Sequence, residues 1–188
     1  MDAASQYALA YALTTSAGVR AVLALAGVAI AVHFNFFHPP HEFAWLAKPL
    51  VMWILIGIGA IEVFADKIPV VDHTLHFVQI AIKPAAAAIL VGGSVHAQSN
   101  EALIGLMVLG GLNALGIHAA VATLRGASTV TTGGIGNPIV SVVEDTGAIA
   151  SIFIAIFAPI AAAILAVIFT VLLILLARSA YRRVRPAK

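Results

Sequence analysis

The residues best suited to chemistry in this chain are acidic side chains placed beside long apolar runs. The stretch "IEVFADKIPVVDH", residues 61–73, brings Glu62, Asp66 and Asp72 together directly after the apolar run "PLVMWILIGIGA". Carboxylate oxygens are the ligands that Mg²⁺, Ca²⁺ and Mn²⁺ prefer, and acidic side chains inside membranes also carry protons. The stretch is therefore a candidate site for a cation or a proton. The plainer interpretation is a surface loop around Pro69, where charge is ordinary and Asp72 caps a helix.

Further ionisable residues interrupt other apolar segments. Glu144 and Asp145 form a second acidic pair, and the bases Arg20 and Lys83 fall inside predicted spans. A charge at the bilayer centre costs about 2.5–3.5 kcal/mol on insertion scales, so such groups persist where they pair or line a wet cavity. We expect one nearly balanced polar cluster, although a structural ion pair with Arg20 or an interfacial carboxylate would also explain the acids. The candidate substrate- or ion-binding residues are Glu62, Asp66, Glu144, Asp145, Arg20, Asn113, Asn137, Lys83 and Asp72, and the candidate metal ligands are Glu62, Asp66, Glu144 and Asp145.

The composition predicts a protein that spans a membrane. Hydrophobic residues make up 62% of 188 positions, against roughly 45–50% in ordinary soluble domains. Only 10% of residues are charged, and basic residues gather in the C-terminal "ARSAYRRVRPAK". The positive-inside rule places this tail in the cytoplasm, and its juxtamembrane position favours anionic lipid over nucleic acid as its partner. We expect a multi-pass protein of the cell (inner) membrane that is not an enzyme.

The expected fold class is all-α, with about five to six membrane spans of roughly 20 residues each. Polar "TTSAG" is expected to loosen the first span near its middle, and Asn100 is the expected N-cap of the fourth. Glycines at 133, 134 and 136 oppose continuous helix, whereas Pro138 suits a first helical turn. The predicted spans are 7–34, 49–65, 73–95, 101–123 and 149–177, with a short or re-entrant helix near 138–146.

Matching landmarks in the two halves of the chain indicate an internal repeat. "GVRA" at 18–21 matches "GLNA" at 111–114, and "PAAAAIL" at 84–90 matches "PIAAAIL" at 159–165. "KP" at 48–49 and "NP" at 137–138 each stand at the predicted start of a helix. "IE" at 61–62 likewise corresponds to "VE" at 143–144. Three crossings in each half would make the repeat inverted, an architecture that places substrate sites at the repeat interface. The predicted domains are 1–95, 96–178 and the basic tail 179–188.

Loop charges bear on the number of crossings. Six crossings with a cytoplasmic C-terminus would put Lys67 and Arg125 inside and Lys48 outside, and five crossings would reverse all three. The sequence leaves this choice open. Channel or carrier action and a homo-oligomeric state stay open as well.

Four motifs resemble one family. "GVRA", "EVFADKIPVVD", "KPAAA" and "GNPIVSVVEDTGA" are similar to the corresponding motifs of domain of unknown function family 4126, membrane proteins of bacteria with relatives in plants. The resemblance covers about residues 15–178 and implies a membrane protein without assigning an activity.

A looser likeness concerns the first acidic motif alone. "EVFADK" is similar to the Glu-x-Gly-Asp-Lys-Thr/Ser signature of the manganese/calcium–proton exchangers of Golgi and plastid membranes, six-span proteins with two inverted repeats. Here Glu62 and Asp66 are one residue further apart, Ala65 replaces the glycine and Ile68 replaces Thr/Ser. The second copy reads "EDTG".

Three functions fit the residues. The first is a small transporter or channel for a cation, either a divalent metal or one coupled to protons, with Glu62, Glu144 and Asp145 as ligands or proton carriers. The second is a non-catalytic scaffold or assembly protein, in which buried charges only fix the helix register. The third is a membrane-embedded metalloprotein using histidines with Asp72 or Glu42. No cofactor is predicted beyond a divalent cation.

The histidines favour ordinary interfacial roles over metal binding. The spacings in "HPPHEF" and "DHTLH" are compatible with metal ligation. Pro39 and Pro40 exclude a helical arrangement of the first pair, however, and both pairs lie near a predicted interface. His118 lies in the middle of a span and stays open.

Overall fold

Helices make up nearly all of the described chain. The structure is a computed structural model that describes residues 1–65 and 69–184, with the backbone alone for 69–77 and 183–184. No strand occurs in that part of the chain. The α-helices, in chain order, are α1 (Ala3–Val19), α2 (Ala21–His33), α3 (Pro49–Ala65), α4 (Pro69–Ser94), α5 (Asn100–Thr132), α6 (Asn137–Phe157) and α7 (Pro159–Val184), and a 3-10 helix at His41–Ala47 precedes α3.

Local sequence signals explain several helix ends. Asp2 caps α1, because its carboxylate accepts a hydrogen bond of 2.8 Å from the backbone N–H of Ser5. Ser99 caps α5 in the same way, with 3.2 Å to the N–H of Ala102. The N-cap is therefore one residue before the predicted Asn100. Helix α3 has the predicted bounds of 49–65.

The first predicted span is broken, as the polar residues in its middle indicate. Helix α1 ends at Val19 and α2 begins at Ala21, so a single residue, Arg20, separates them. Hydroxyl groups just before the break bond back to the helix, with Thr15 Oγ1 3.1 Å from the carbonyl oxygen of Tyr11. Such bonds compete with the backbone ladder and are associated with helix bending.

The predicted short helix near 138–146 is wrong. Helix α6 begins as expected, with Pro138 in its first turn, but it continues without a break to Phe157. The interruption lies at Ala158, whose φ of −141° and ψ of 68° are not helical. Ala158 precedes Pro159, and a proline disfavours helical geometry in the residue before it.

The fourth span also extends further than predicted. Helix α5 continues from 123 to Thr132 through the Gly-, Ser- and Thr-rich segment. Hydroxyl groups in this segment donate to carbonyl oxygens four residues earlier, as Thr129 does to Arg125 at 3.0 Å and Thr131 to Ala127 at 2.8 Å. The helix then ends at Gly133, which adopts the left-handed conformation with φ of 64°.

Helix α1 lies at the centre of the packing and contacts α4, α5, α6 and α7. The core contains Leu9 and Leu13 of α1, Val28 of α2 and Leu90 of α4, all fully buried. Gly18 allows α1 to approach α5 closely, because a Cβ at this position would lie 2.5 Å from Cβ of Ile117. The close approach lies two residues before the break at Arg20.

The long apolar helices are those of a membrane protein. Within residues 1–65 and 69–184, three helices are long and apolar enough to cross a bilayer, namely α5, α6 and residues 159–182 of α7. A fourth span results if the 3-10 helix and α3, which meet at 66°, count as one. Many large apolar side chains are exposed on these helices, among them Leu109, Phe153 and Leu176. Such surfaces suit contact with lipid.

Candidate functional site

The site is centred on the break between α1 and α2. Arg20 has an extended backbone with φ of −136° and ψ of 93°. Its N–H still donates to the carbonyl oxygen of Ser16 at 2.7 Å, and its own carbonyl accepts from the N–H of Ala24 at 3.1 Å. Arg20 therefore ends one helix and starts the next. Its side chain is 1% exposed and points into the protein.

Arg20 is bound by one face of α6. Its Nε lies 2.7 Å from Oδ1 of Asp145, and its NH2 group donates to Oγ of Ser141 at 3.0 Å. The same NH2 group is 3.6 Å from Oε2 of Glu144. Ser141, Glu144 and Asp145 are spaced by three and four residues, which places them side by side on a helix. The prediction that Arg20 pairs with a buried acid is confirmed.

A second arginine, Arg125, forms an ion pair with Glu144. Arg125 Nε donates to Glu144 Oε1 at 3.0 Å, and Arg125 NH2 contacts Oε2 of the same carboxylate. The prediction that Arg125 is a loop charge is wrong, since it lies within α5. Sequence reasoning therefore missed Arg125 as a member of the site. A longer fourth helix, continuing past 123, would have predicted that Arg125 lies on a helix beside the acids.

Lys83 and His118 form a second buried contact. Lys83 Nζ is 2.9 Å from Nδ1 of His118, and these residues are only 2% and 4% exposed. The charge of Lys83 interacts with those of Glu62 and Glu144 as well as with those of the two arginines. His118, which the sequence left open, therefore belongs to the site.

Glu62 interacts electrostatically with a residue of each contact. Its Oε1 is 3.5 Å from Nε2 of Gln79, the limit of hydrogen-bonding distance. The backbone N–H of Val22, at the start of α2, is within hydrogen-bonding reach of the same carboxylate. Its charge interacts with Arg20 and Lys83. We use the term buried charge cluster for these seven residues: Arg20, Glu62, Lys83, His118, Arg125, Glu144 and Asp145.

Other predicted site residues lie elsewhere or outside the description. Asn113 donates from Nδ2 to the hydroxyl groups of Thr14 at 3.0 Å and Thr15 at 3.1 Å, and so links α5 to α1. Asn137, the first residue of α6, donates from Nδ2 to the hydroxyl group of Thr129 in α5 at 2.9 Å, across the turn between the two helices. Asp66 and the side chain of Asp72 lie outside the described residues.

The described side chains give little support to a tightly held metal. Among them, no group of three or more His, Asp or Glu residues is arranged to hold a metal ion. Asp145 faces Arg20, and both oxygens of Glu144 face guanidinium groups. A divalent cation at these two acids would therefore have to displace an arginine.

The fold and the site define a class, a helical membrane protein with a buried charge cluster beside a broken helix. Residues 7–179 match the profile of the family described as Domain of unknown function (DUF4126), and the chain belongs to that family. The match confirms the resemblance indicated by the sequence motifs, while the likeness to the exchangers stays a prediction. No curated protein and no solved structure matches the chain.

Proposed function

We propose that the protein is a small transporter or channel of the cell (inner) membrane, in which a proton or a small cation is the permeant or coupled ion. The broken helix at Arg20 carries this proposal. Discontinuous helices surround the substrate sites of many transporters, and non-helical backbone inside a membrane is tolerated where it is buried in protein or lines a cavity. A break that also holds a buried charge fits such a site.

The balance of charge in the buried charge cluster favours a proton over a divalent metal. The acids Glu62, Glu144 and Asp145 are matched by the bases Arg20, Lys83 and Arg125. A divalent ion added to this cluster would leave a large excess of positive charge in a low-dielectric environment, which is costly. Adding or removing one proton changes the balance by a single charge.

The contact between Lys83 and His118 supplies a specific place for that proton. A fully protonated lysine and a fully protonated histidine have only donors. The 2.9 Å distance between Lys83 Nζ and His118 Nδ1 therefore requires that at least one of the two nitrogens has a free lone pair. The pair can accept a further proton when this hydrogen bond opens, and Glu62 and Glu144 are the acids whose charges act on Lys83.

Two pairs of helix contacts support an internal repeat, whichever way its halves are oriented. If α1 corresponds to α5 and α4 to α7, exchanging the halves should preserve the contacts among these four helices. The contact of α4 with α5 is matched by that of α7 with α1, and the contact of α1 with α4 by that of α5 with α7. Helix α6 packs against α1, α2 and α7, whereas α3 packs mainly against α2, so this pair of helices departs from the exchange. We propose 1–95 and 96–178 as the two halves on the contacts of the other four helices, and the positive-inside rule favours a cytoplasmic tail at 179–188. An inverted repeat would also predict that Glu62 and Glu144 approach each other about a pseudo-twofold axis.

Flux through liposomes containing the purified protein tests this function. We expect a proton- or cation-dependent signal with the wild type, and loss of that signal in Glu62→Gln, which removes charge but keeps the shape of the side chain. Glu101→Gln is the matched control, because Glu101 is an exposed acid in the first turn of α5. Absence of flux for the wild type across a panel of cations and small anions would refute the proposal.

A non-catalytic scaffold is the second candidate. It is favoured by the ion pairs that both arginines already form with acids of the protein itself. Arg20 and Arg125 already bind acids, as expected if the charges only lock α6 against α1 and α5. In a scaffold, Glu62→Gln would change stability and the wild type would show no flux. In a transporter, Glu62→Gln would lose flux under conditions in which it remains folded.

A further inference from the structure

We infer that a cavity between α1, α5, α6 and α7 binds an uncharged amphipathic lipid taken from the surrounding bilayer. The cavity has a volume of about 580 Å³, within the range of about 300–1,000 Å³ that is usual for small-molecule sites. Apolar side chains from the four helices form most of its wall. Its polar lining groups are Thr15, Ser16, Glu144 and Ser151.

The outer wall of the cavity indicates where the ligand comes from. Leu165, Leu172 and Leu176 of α7 line the cavity and are 51%, 53% and 58% exposed. They lie in the most apolar of the three candidate spans, residues 159–182. The cavity is therefore continuous with a surface that contacts acyl chains in a bilayer, and a molecule dissolved in the hydrocarbon can enter without crossing water.

The polar groups indicate the chemistry of the head group. Glu144 is the only ionisable side chain among the described lining residues, and its charge is compensated by Arg125 and Arg20. A hydroxyl pair also faces this region, with 2.8 Å between the oxygens of Ser16 and Ser151. A head group with a hydroxyl can hydrogen-bond here, whereas a carboxylate would bring an uncompensated negative charge to Glu144. An uncharged lipid alcohol fits these groups.

Gly147 allows the cavity to be filled without disturbing the helix. It lines the cavity, and a Cβ added there meets no atom within 4 Å. Gly147→Phe should therefore place a ring in the space of the lipid. Gly116→Phe is the matched control, because Gly116 is also helical, is likewise open at Cβ and does not line the cavity.

The experiment is photolabelling of the full-length protein in nanodiscs with a diazirine-bearing long-chain alcohol. We expect crosslinks on residues of α6 and α7 that line the cavity, a roughly tenfold loss of labelling in Gly147→Phe and none in Gly116→Phe. The corresponding diazirine fatty acid should label these residues less than the alcohol does. Equal labelling of Gly147→Phe and the wild type, or stronger labelling by the fatty acid, would overturn the assignment. A shift from dimer to monomer in Gly147→Phe alone would also overturn it and assign the cavity to a second copy.

Discussion

Arg20 contacts Asp145 across the break in the first helix, with 2.7 Å between Nε and Oδ1. The contact joins the one non-helical residue between α1 and α2 to the middle of α6. Buried ion pairs lose much of their attraction to desolvation and depend on further hydrogen bonds, such as the one from Arg20 to Ser141. The pair therefore defines the geometry of the break more than it adds to net stability.

Replacing Arg20 by leucine should destabilise the protein strongly. Asp145 would keep its burial and lose its cation, and breaking a buried pair in this way costs about 3–5 kcal/mol. Unfolding of the purified protein in detergent measures the change. Arg178→Leu is the control, because Arg178 is an exposed arginine of α7.

A double substitution tests whether the loss of stability in Arg20→Leu comes from the buried, unpaired carboxylate of Asp145. Arg20→Leu combined with Asp145→Leu removes both charges, and we expect it to be more stable than Arg20→Leu alone. Wild-type stability of the single variant would contradict the importance of the pair. A double variant less stable than the single one would show that Arg20 acts through other contacts.

Substituting Gly18 should separate α1 from α5. A Cβ there would lie 2.5 Å from Cβ of Ile117 and 2.7 Å from the carbonyl oxygen of Ala114. Because the second contact is backbone, the helices must move, and we expect Gly18→Ala to cost about 1–3 kcal/mol of the free energy of unfolding. Gly116→Ala in α5 meets nothing within 4 Å and should stabilise the helix by up to about 1 kcal/mol. Equal effects of the two substitutions would contradict the close packing.

Several features of the fold follow from local sequence. Pro49 and Pro138 lie in the first turns of α3 and α6, and the polar residues before Arg20 mark the broken helix. The pairing of Arg20 with an acid was predictable because an unpaired arginine in mid-span is costly. These features were predictable because proline restricts the backbone, and burial of charge is costly, wherever in the chain the residue lies.

Other features depend on tertiary context. The fourth span was expected to end at 123, before the Gly-, Ser- and Thr-rich segment, but the hydroxyl groups of Thr129 and Thr131 bond within α5, which continues to Thr132. Glu144 and Asp145 suggested the end of a helix, yet two arginines compensate them inside α6. Which partner neutralises a buried charge is decided by distant parts of the chain, so the local pattern could not give the length of α6.

His118 should control the pH dependence of flux if its pair with Lys83 carries the proton. The charged groups that act on Lys83 are Glu62, Glu144, Arg20 and Arg125. In His118→Gln the side-chain oxygen can still accept from Lys83, but glutamine does not titrate. We therefore expect a folded protein whose flux varies less with pH than that of the wild type between about pH 5 and 8.

The control for His118→Gln is His33→Gln. His33 also makes one short contact, with 2.9 Å from Nδ1 to the carbonyl oxygen of Ala47, and it lies outside the buried charge cluster. Its substitution should leave the pH profile unchanged. An unaltered profile in His118→Gln, or the same flattening in both variants, would exclude the pair as the proton carrier.

The turn between α5 and α6 should be sensitive to any side chain at Gly134. Its φ of 89° lies in a region that residues with a Cβ rarely adopt, although nothing lies within 4 Å of an added Cβ. Gly134→Ala should therefore cost about 1–3 kcal/mol through backbone strain alone. The turn sets where Pro138 begins α6 and thus the position of Glu144 and Asp145, so we also expect reduced flux. Gly126→Ala, inside α5 and equally open at Cβ, should be neutral or slightly stabilising. Matching unfolding curves for the two variants would show that the turn relaxes freely and does not position the acids.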